Sequence, residues 1–282
     1  MTDPLVDPAW LAARLDDPLV VPLDCTWYVP EMGISGRARF EEGHVPGAVY
    51  VDLDEISDSA SPYVNMMCTS ETFERVMSAL GIGSDTHVVV YNANYVSARL
   101  WWMFRHFGHE EVSILDGGWA RWLAESRPVE TGPARPRPLR RFVAGKPRSD
   151  IVTADTVLNA LRSGDAQVVD VRPAGKFDGT EPTGYPGVLP GHMPGAVNIP
   201  WAELFTADAE RRFIAPERFE ALLAERGVDA DRPIIATCGS GVTAAILAFH
   251  LERIGRHGWH IYDGSWHEWG QRDDLPKETS NG

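Results

Sequence analysis

The chain runs Pro233-Ile234-Ile235-Ala236-Thr237-Cys238-Gly239-Ser240-Gly241-Val242-Thr243-Ala244 near its C-terminal end. The apolar run up to Thr237 predicts a buried strand, and the helical pattern after Ala244 predicts a helix. Two glycines allow a tight turn between them, and the amides of such a turn and of a helix N-terminus converge on an anion. We therefore interpret Cys238 as a nucleophile whose thiolate the loop stabilises. The alternative is a buried, inert cysteine, but such a cysteine does not need a glycine on both sides of a serine.

The composition limits the classes of function. With 282 residues, 44% of them hydrophobic, the chain is long enough for two domains. Its formal net charge of −14 disfavours nucleic acid as a partner. Three widely spaced cysteines without a C-x-x-C pair predict neither a disulfide framework nor a zinc site, and they favour the cytoplasm. We see no secretory signal or apolar run of membrane-spanning length, so we expect no membrane partner.

The two halves of the chain repeat the same motifs in the same order. A Gly-His-x-Pro-Gly-Ala-Val segment contains His44 in the first half and His192 in the second, 148 residues later. An Asp-Gly-x-Trp segment begins at Asp116 and again at Asp263, 147 residues later. This agreement predicts two homologous domains. We interpret both histidines as structural because the motif is repeated.

We place the N-terminal domain at residues 1–126, a linker at 127–149 and the C-terminal domain at 150–282. The linker contains five prolines and seven arginines and lysines, which predicts a stiff, hydrated connection. In each domain, short runs rich in valine and isoleucine alternate with helical patterns. The predicted fold class is therefore α/β, with a mainly parallel sheet flanked by helices in each domain. Ligands of such folds bind at the carboxyl ends of strands, and Cys238 stands at one.

Alignment of the two halves places Asn92 opposite Cys238. The segment is Asn92-Ala93-Asn94-Tyr95-Val96-Ser97-Ala98-Arg99, which has neither the cysteine nor the glycines. We therefore expect the N-terminal domain to be catalytically degenerate.

These features resemble the two-domain rhodanese sulfurtransferases over essentially the whole chain. The resemblance rests on the tandem halves, the repeated His-x-Pro-Gly-Ala segments, Asp263-Gly264-Ser265-Trp266 and above all the Cys-Gly-Ser-Gly-Val-Thr loop. The loop is most similar to the mercaptopyruvate branch of the family. The thiosulfate branch typically has arginine and lysine where this chain has Gly239 and Ser240. The resemblance implies two tandem rhodanese-like domains, of which the C-terminal one is catalytic.

The resemblance also implies a mechanism. Cys238 would take sulfur from 3-mercaptopyruvate as a persulfide and pass it to a thiol or to cyanide, with no metal or organic cofactor. The loop residues would hold the sulfur and the donor: Gly239, Ser240, Gly241, Val242, Thr243 and Ala244. We interpret the Thr243 hydroxyl as a helix-capping or loop-closing group rather than a catalytic one. Thioredoxin is an acceptor that the family suggests.

This sequence departs from the mercaptopyruvate branch at two positions. That branch has two arginines before its second His-x-Pro-Gly-Ala segment to hold the donor, whereas this chain has Lys176 and Tyr185. Lysine keeps the charge but lacks the bidentate fork of arginine. We assign both residues to substrate binding. They leave the sulfur donor open among 3-mercaptopyruvate, thiosulfate and a donor that the sequence does not identify.

Two other classes of function use a rhodanese-like fold or a cysteine loop of this kind. A cysteine phosphatase needs Cys-x5-Arg, and Ala244 stands at the position of that arginine. A non-catalytic rhodanese-type binding or regulatory module remains open, although the intact loop around Cys238 argues against it. We expect Arg172 to stabilise the framework of the loop through an ion pair.

Overall fold

The computed structural model describes residues 3–93 and 95–280, and the chain divides into two compact units. Unit 1 contains the residues up to Ser59, Met67–Arg148 and Ala207–Phe213. Unit 2 contains Ala60–Met66, Ser149–Thr206 and the residues from Ile214 onward. Each unit therefore includes a short segment from the opposite half of the sequence. Among the described residues, no helix is long and apolar enough to cross a membrane.

Unit 1 is built on a five-stranded sheet in which all neighbouring strands are parallel. The strands are β1 (Leu5–Val6), β2 (Val20–Asp24), β3 (Val49–Tyr50), β4 (His87–Tyr91) and β5 (Val112–Leu115), in the order β1-β5-β4-β2-β3. The helices are α1 (Pro8–Ala12), α2 (Gly36–Glu42), α3 (Ser70–Ala79), α4 (Ser97–His106) and α5 (Gly118–Ala124), with 3-10 turns at Pro30–Met32 and Leu53–Ile56. All five residues of β2 are buried, as expected for a strand covered on both faces.

Unit 2 repeats this architecture. Its strands are β6 (Ile151–Val152), β7 (Gln167–Asp170), β8 (Val197–Asn198), β9 (Ile234–Thr237) and β10 (Trp259–Tyr262), in the parallel order β6-β10-β9-β7-β8. Its helices are α6 (Ala154–Ser163), α7 (Ala174–Asp178), α8 (Pro216–Glu225), α9 (Ala244–Arg253) and α10 (Ser265–Trp269), with a 3-10 turn at Trp201–Leu204. The strand order is that of unit 1 with every number raised by five. The predicted parallel sheets and helical layers are confirmed in both units.

The repeated histidines have the same structural role in both units. His44 stacks on Phe40 with ring centroids 3.9 Å apart, and its Nδ1 bonds the Phe40 carbonyl at 2.8 Å. His192 stacks on Phe177 at 3.8 Å and bonds the Phe177 carbonyl at 2.9 Å. Their structural interpretation is confirmed.

The proline-rich segment after α5 belongs to unit 1 as far as Arg148. Its Phe142 is 2% exposed and packs edge-on against Phe73 and Phe104. The backbone of Gly145 donates to the Phe107 carbonyl at 2.7 Å. The expected hydrated connection is therefore wrong at Phe142, where the large apolar surface of an aromatic ring favours burial over hydration.

Candidate active site

Cys238 follows directly after β9, which lies between β10 and β7 in the sheet of unit 2. The residue is 2% exposed. Its backbone carbonyl accepts a hydrogen bond from Trp266 at 2.9 Å, and the next carbonyl, that of Gly239, accepts one from His267 at 2.8 Å. These two bonds connect the loop after β9 to the first turn of α10.

Ser265 is the side chain that holds the loop in its curled form. Its Oγ accepts hydrogen bonds from the backbone amides of Cys238 and Gly241, each at 3.1 Å. The same hydroxyl donates to the Tyr262 carbonyl at 2.8 Å and lies 3.9 Å from the Cys238 sulfur. Gly241 has a φ of +78°, a conformation that glycine adopts without strain. The turn at Gly241 thus allows two loop amides that are three residues apart to donate to the same buried oxygen, the Ser265 Oγ.

The remaining loop amides are available to an anion. Within the described residues, no hydrogen-bond acceptor is found for the amides of Gly239, Ser240, Val242, Thr243 and Ala244. The last of these begins α9, a ten-residue helix whose N-terminal amides have partial positive charge. Buried amides that protein groups do not satisfy favour a thiolate, a persulfide or an anionic substrate. The amide of Gly241 is excluded from the expected set because it donates to Ser265.

Ser240 is 6% exposed and contacts a segment from the first half of the sequence. The side-chain amide of Asn65 lies 3.0 Å from the Ser240 Oγ as a donor. Asn65 has a φ of +59°, which asparagine tolerates better than most residues. An amide NH2 has no acceptor capacity, so the Ser240 hydroxyl proton points elsewhere.

His267 holds that same segment on unit 2. Its Nδ1 accepts from the Val64 backbone amide at 3.4 Å and lies 3.4 Å from the side-chain nitrogen of Gln271. The imidazole also meets the rings of Tyr63 and Tyr185 edge-on, at centroid distances of 6.1 and 4.8 Å. Partial burial lowers the pKa of His267. Because Nδ1 accepts from the Val64 amide, we assign the proton of the neutral ring to Nε2.

Tyr185 lies directly over the loop backbone. Its hydroxyl is 3.2 Å from the point where a Cβ on Gly239 would stand, and a ring carbon is 3.4 Å from it. Any side chain at position 239 would therefore press on the tyrosine ring. The structure thus places Tyr185 against the loop around Cys238. Its role in substrate binding stays a prediction.

Lys176 has a different environment from Tyr185. It lies on α7, and its ammonium group donates to the Thr183 carbonyl at 3.2 Å. Thr183 in turn receives the backbone amide of Tyr185 on its hydroxyl at 3.2 Å. Lys176 is thus linked to Tyr185 through one turn, and among the described residues the Thr183 carbonyl is the hydrogen-bond partner of its ammonium group.

The framework below the loop contains a buried ion pair. The Arg172 guanidinium bonds the Asp170 carboxylate, with the shortest contact 2.6 Å, and both side chains are at most 4% exposed. The guanidinium also lies 4.4 Å from the centre of the Trp266 ring. The predicted ion pair of Arg172 is confirmed.

The other loop residues have structural surroundings. Val242 is 3% exposed and Ala244 is fully buried as the first residue of α9. Thr243 occupies the N-cap position, but its side chain makes no capping hydrogen bond. The interpretation of Thr243 as a capping hydroxyl is therefore wrong. Its backbone has helical angles, φ −79° and ψ −17°, whereas capping hydroxyls act from an extended residue.

The corresponding position in unit 1 supports the alignment of the halves. The Asn92 carbonyl accepts from Trp119 at 3.1 Å, as the Cys238 carbonyl does from Trp266. The Asn92 side chain accepts from the Ser97 amide at 3.1 Å and so closes its own loop. Asn94, which we included in this degenerate loop, lies outside the described residues.

The other two cysteines are also buried. The Cys25 sulfur donates to the Tyr91 carbonyl at 3.3 Å, and burial raises the pKa of the Cys25 thiol. Cys68 is 6% exposed. Within the described residues, no group of three or more His, Cys, Asp or Glu side chains is placed to hold a metal ion.

Sequence reasoning missed three residues that border the loop, namely Asn65, Ser265 and His267. Asn65 is far from Cys238 in sequence and has no motif of its own. Ser265 was visible within the Asp263–Trp266 signature, and its pairing with Gly118 of the first half was a usable signal. No sequence pattern indicated a role for His267, because its partners come from three separate segments of the chain.

Comparison with known proteins gives one family and several full-length relatives. A model of the rhodanese-like domain matches residues 7–125 and 153–272. The 3-mercaptopyruvate sulfurtransferase of Homo sapiens is 42% identical, over 95% of this chain and 92% of that protein. The thiosulfate sulfurtransferase of Rattus norvegicus is 40% identical, over 98% and 94%. The crystal structure of SseA from Escherichia coli, described as a 3-mercaptopyruvate sulfotransferase of rhodanese fold, superposes with a TM-score of 0.85 at 36% identity, over 94% and 99%.

Proposed function

This chain belongs to the rhodanese family, and we propose that it is a sulfurtransferase that takes sulfur from 3-mercaptopyruvate through a persulfide on Cys238. The observation that carries the proposal is the loop around Cys238, in which five amides find no acceptor among the described residues. A loop of that kind serves an anion better than an inert thiol. Full-length relatives with the corresponding names support the same activity.

The proposed reaction has two steps. The Cys238 thiolate attacks the thiol sulfur of the donor, so that a sulfur–sulfur bond forms and the carbon–sulfur bond breaks. The released electron pair moves to the methylene carbon and its neighbouring carbonyl as an enolate, which takes a proton from water to become pyruvate. An acceptor thiolate or cyanide then attacks the outer sulfur of the persulfide and regenerates the Cys238 thiolate. Covalent storage of sulfur divides one transfer into two easier steps.

The loop residues have assigned roles in this proposal. The amides of Gly239, Ser240, Val242, Thr243 and Ala244 stabilise the thiolate and then the persulfide anion. The Ser240 hydroxyl, whose lone pair accepts from the Asn65 amide, donates a hydrogen bond to the donor's carbonyl oxygen as enolate charge develops there.

Tyr185 and Lys176 are the proposed donor-binding side chains. Tyr185 supplies a hydroxyl at the loop, and Lys176 supplies positive charge on the neighbouring turn. A single ammonium group and a phenol hold a carboxylate by fewer fixed hydrogen bonds than two arginines. We therefore expect this chain to bind the donor less tightly, and to have a higher KM for it, than an enzyme with a pair of arginines at these positions.

Thiosulfate is the second candidate donor, because a thiosulfate sulfurtransferase is 40% identical to this chain. The position of Tyr185 favours 3-mercaptopyruvate. The thiosulfate branch typically has arginine at the position of Gly239, and a side chain there would meet the Tyr185 hydroxyl. The Tyr185 ring would have to move to admit the cationic side chain that a dianionic donor would use.

Other parts of the proposal concern context. We propose a cytoplasmic location, a small-molecule donor, a thiol acceptor such as thioredoxin, and no cofactor beyond the persulfide itself. None of the three cysteines, all of which the structure describes, forms a disulfide, which suits a reducing compartment. A non-catalytic binding module is the competing class, and it predicts no turnover.

The testing experiment compares both donors with cyanide as acceptor. Pyruvate and thiocyanate are measured with 3-mercaptopyruvate, and thiocyanate is measured with thiosulfate, for the natural chain and for Cys238→Ser. We expect preference for 3-mercaptopyruvate, abolished in Cys238→Ser, with a mass increase of one sulfur atom on the natural chain before acceptor is added. Preference for thiosulfate would overturn the choice of donor. No turnover with either donor would support the binding module.

A further inference from the structure

Ser265 stands in a backbone conformation that serine rarely adopts. Its φ is +49°, in the left-handed region where a Cβ meets the following carbonyl oxygen. The residue is fully buried and begins α10. Strain of this kind persists only where the surroundings enforce it, and it is concentrated at functional sites.

Unit 1 supplies an internal comparison. Gly118 occupies the corresponding place after Asp116-Gly117, and its φ is +50°. Both units therefore have the same left-handed backbone conformation at this position. In unit 1 the residue is glycine, which adopts this conformation without strain. Unit 1 has Asn92 where unit 2 has Cys238. The strained serine thus occurs in the unit that keeps the cysteine.

The hydroxyl explains why serine is retained. A hydroxyl has two acceptor sites and one proton. The Ser265 Oγ accepts from the amides of Cys238 and Gly241 and donates to the Tyr262 carbonyl. Its one proton has two described acceptors, the Tyr262 carbonyl at 2.8 Å and the Cys238 sulfur at 3.9 Å, and the shorter distance assigns it to the carbonyl. Three of the four described contacts of this buried hydroxyl are to Cys238 and Gly241. A glycine in its place would leave both loop amides without that acceptor.

We propose that Ser265 is a positioning residue for Cys238, which fixes the curl of the loop and so aims the remaining loop amides at the sulfur. By holding the first and fourth residues of the loop on one oxygen, Ser265 sets the direction of the intervening amides. It acts through the loop and touches no substrate. The sulfur-transfer role of the loop rests on the proposed function, whereas its effect on the thiol of Cys238 does not.

The test uses Ser265→Gly, which keeps the backbone path and removes both the strain and the hydroxyl. The rate of Cys238 alkylation by iodoacetamide is measured against pH by mass spectrometry, together with turnover of 3-mercaptopyruvate. We expect Cys238 alkylation near neutral pH to be severalfold slower than in the natural chain, because a relaxed loop stabilises the thiolate less well. We expect turnover to fall roughly tenfold to a hundredfold, as misplacement of reacting groups does. Ser265→Ala should show the same two changes together with lower thermal stability.

The matched control is Thr86→Ala in unit 1. Thr86 is fully buried, and its hydroxyl accepts from the Gly83 amide at 2.9 Å, so the variant also removes a buried acceptor of a backbone amide. It should lower the thermal midpoint without moving the alkylation profile of Cys238.

Three results would overturn the inference. One is a Ser265→Gly variant with the natural alkylation profile. Another is a profile shifted to lower pH, which would mean that the freed amides stabilise the thiolate better. The third is failure of Ser265→Gly to fold, which would make the hydroxyl a support of the whole unit. If the natural chain turns over neither donor, the proposed function fails, and the alkylation profile still decides the role of Ser265.

Discussion

At the scale of single residues, equivalent positions in the two units differ in a way that titration should reveal. Asp170 is neutralised by Arg172, whereas the corresponding Asp24 has Thr26 two residues later and no arginine there. The Asp24 carboxylate accepts from the Thr26 amide at 2.8 Å and is 3% exposed. Burial raises the pKa of Asp24 from 3.8 to about 6. At neutral pH, unit 1 therefore contains a buried charge without a guanidinium partner.

The sign of the pH dependence follows from that shift. A raised folded-state pKa means that Asp24 contributes stability that is complete below about pH 4 and is lost as the pH rises to about 6. Asp24→Asn keeps an acceptor for Thr26 and removes the titration. We expect the variant to be more stable at pH 7, by up to about 3 kcal/mol, and to lose less stability between pH 4 and pH 6.

Thermal unfolding of both proteins across that range is the measurement. The control is Asp170→Asn, which leaves the Arg172 guanidinium buried without its carboxylate and should destabilise the chain at pH 7. Equal pH slopes for the natural chain and Asp24→Asn would contradict the assignment of this titration to Asp24.

The contact of Gly239 with Tyr185 predicts coupling between these two residues. Gly239→Ala places a Cβ 3.2 Å from the Tyr185 hydroxyl, and Tyr185→Phe removes that hydroxyl. We expect Gly239→Ala alone to raise KM for 3-mercaptopyruvate, because the ring must move. Each single variant changes KM by some factor relative to the natural chain. The factor for the double variant should be roughly threefold to tenfold smaller than the product of the two single factors, which is the usual size of coupling between residues in contact. Steady-state kinetics of the four proteins measures this, and independent effects would show that the ring does not respond to position 239.

At the scale of elements, the segment Ala60–Met66 is held on unit 2 by a few identifiable contacts. Asn65 donates to Ser240, the Val64 amide donates to His267, and Tyr63 meets the His267 ring edge-on. His267 offers two separate things, an acceptor at Nδ1 and an aromatic ring. Each can be removed while the other is kept.

Two substitutions of His267 should separate these contributions. His267→Phe keeps the ring and loses the acceptor for Val64, whereas His267→Asn keeps an acceptor at a similar distance along the side chain and loses the ring. If the hydrogen bond holds the segment, amide exchange in residues 60–66 should be severalfold faster in His267→Phe and close to natural in His267→Asn. Hydrogen–deuterium exchange with mass spectrometry measures this. Faster exchange only in His267→Asn would instead assign the segment's order to ring packing.

The sequence was sufficient to predict the elements that periodicity and repetition encode. The buried strand before Cys238, the helix after it and the second copy of each element followed from apolar runs and a constant spacing. The sequence did not predict that Ala60–Met66 belongs to unit 2. The contacts of Asn65 and Val64 join residues about 175 and 203 positions apart, and no local pattern encodes such a pairing. Thr243 was misread because its helical backbone angles depend on how the whole loop is tied to Ser265.

At the scale of the whole molecule, the short exchanged segments repeat as regularly as the sheets do. Unit 2 receives Ala60–Met66 and unit 1 receives Ala207–Phe213, so the segments begin 147 residues apart, as the Asp-Gly-x-Trp motifs do. In unit 1, the Phe213 amide donates to Asp116 at 3.1 Å. In unit 2, the Val64 amide donates to His267. Both exchanged segments therefore reach the start of the last helix of their unit, and the duplication includes the exchange.

This equivalence raises the question of whether unit 1 lacks only a cysteine. Asn92→Cys would place a thiol at the end of β4, where the carbonyl already bonds Trp119. Gly118 has no hydroxyl to take the place of Ser265, and Asn92 uses its own side chain to bind the Ser97 amide, a contact that cysteine loses. We expect Asn92→Cys in a Cys238→Ser background to show less than about 1% of natural turnover, because the thiol would lack a loop of aligned amides. Turnover and persulfide mass measure the result, with Cys238→Ser alone as the control. Recovery of substantial activity would mean that the cysteine alone separates the two units, and it would count against the role assigned to the amides around Cys238.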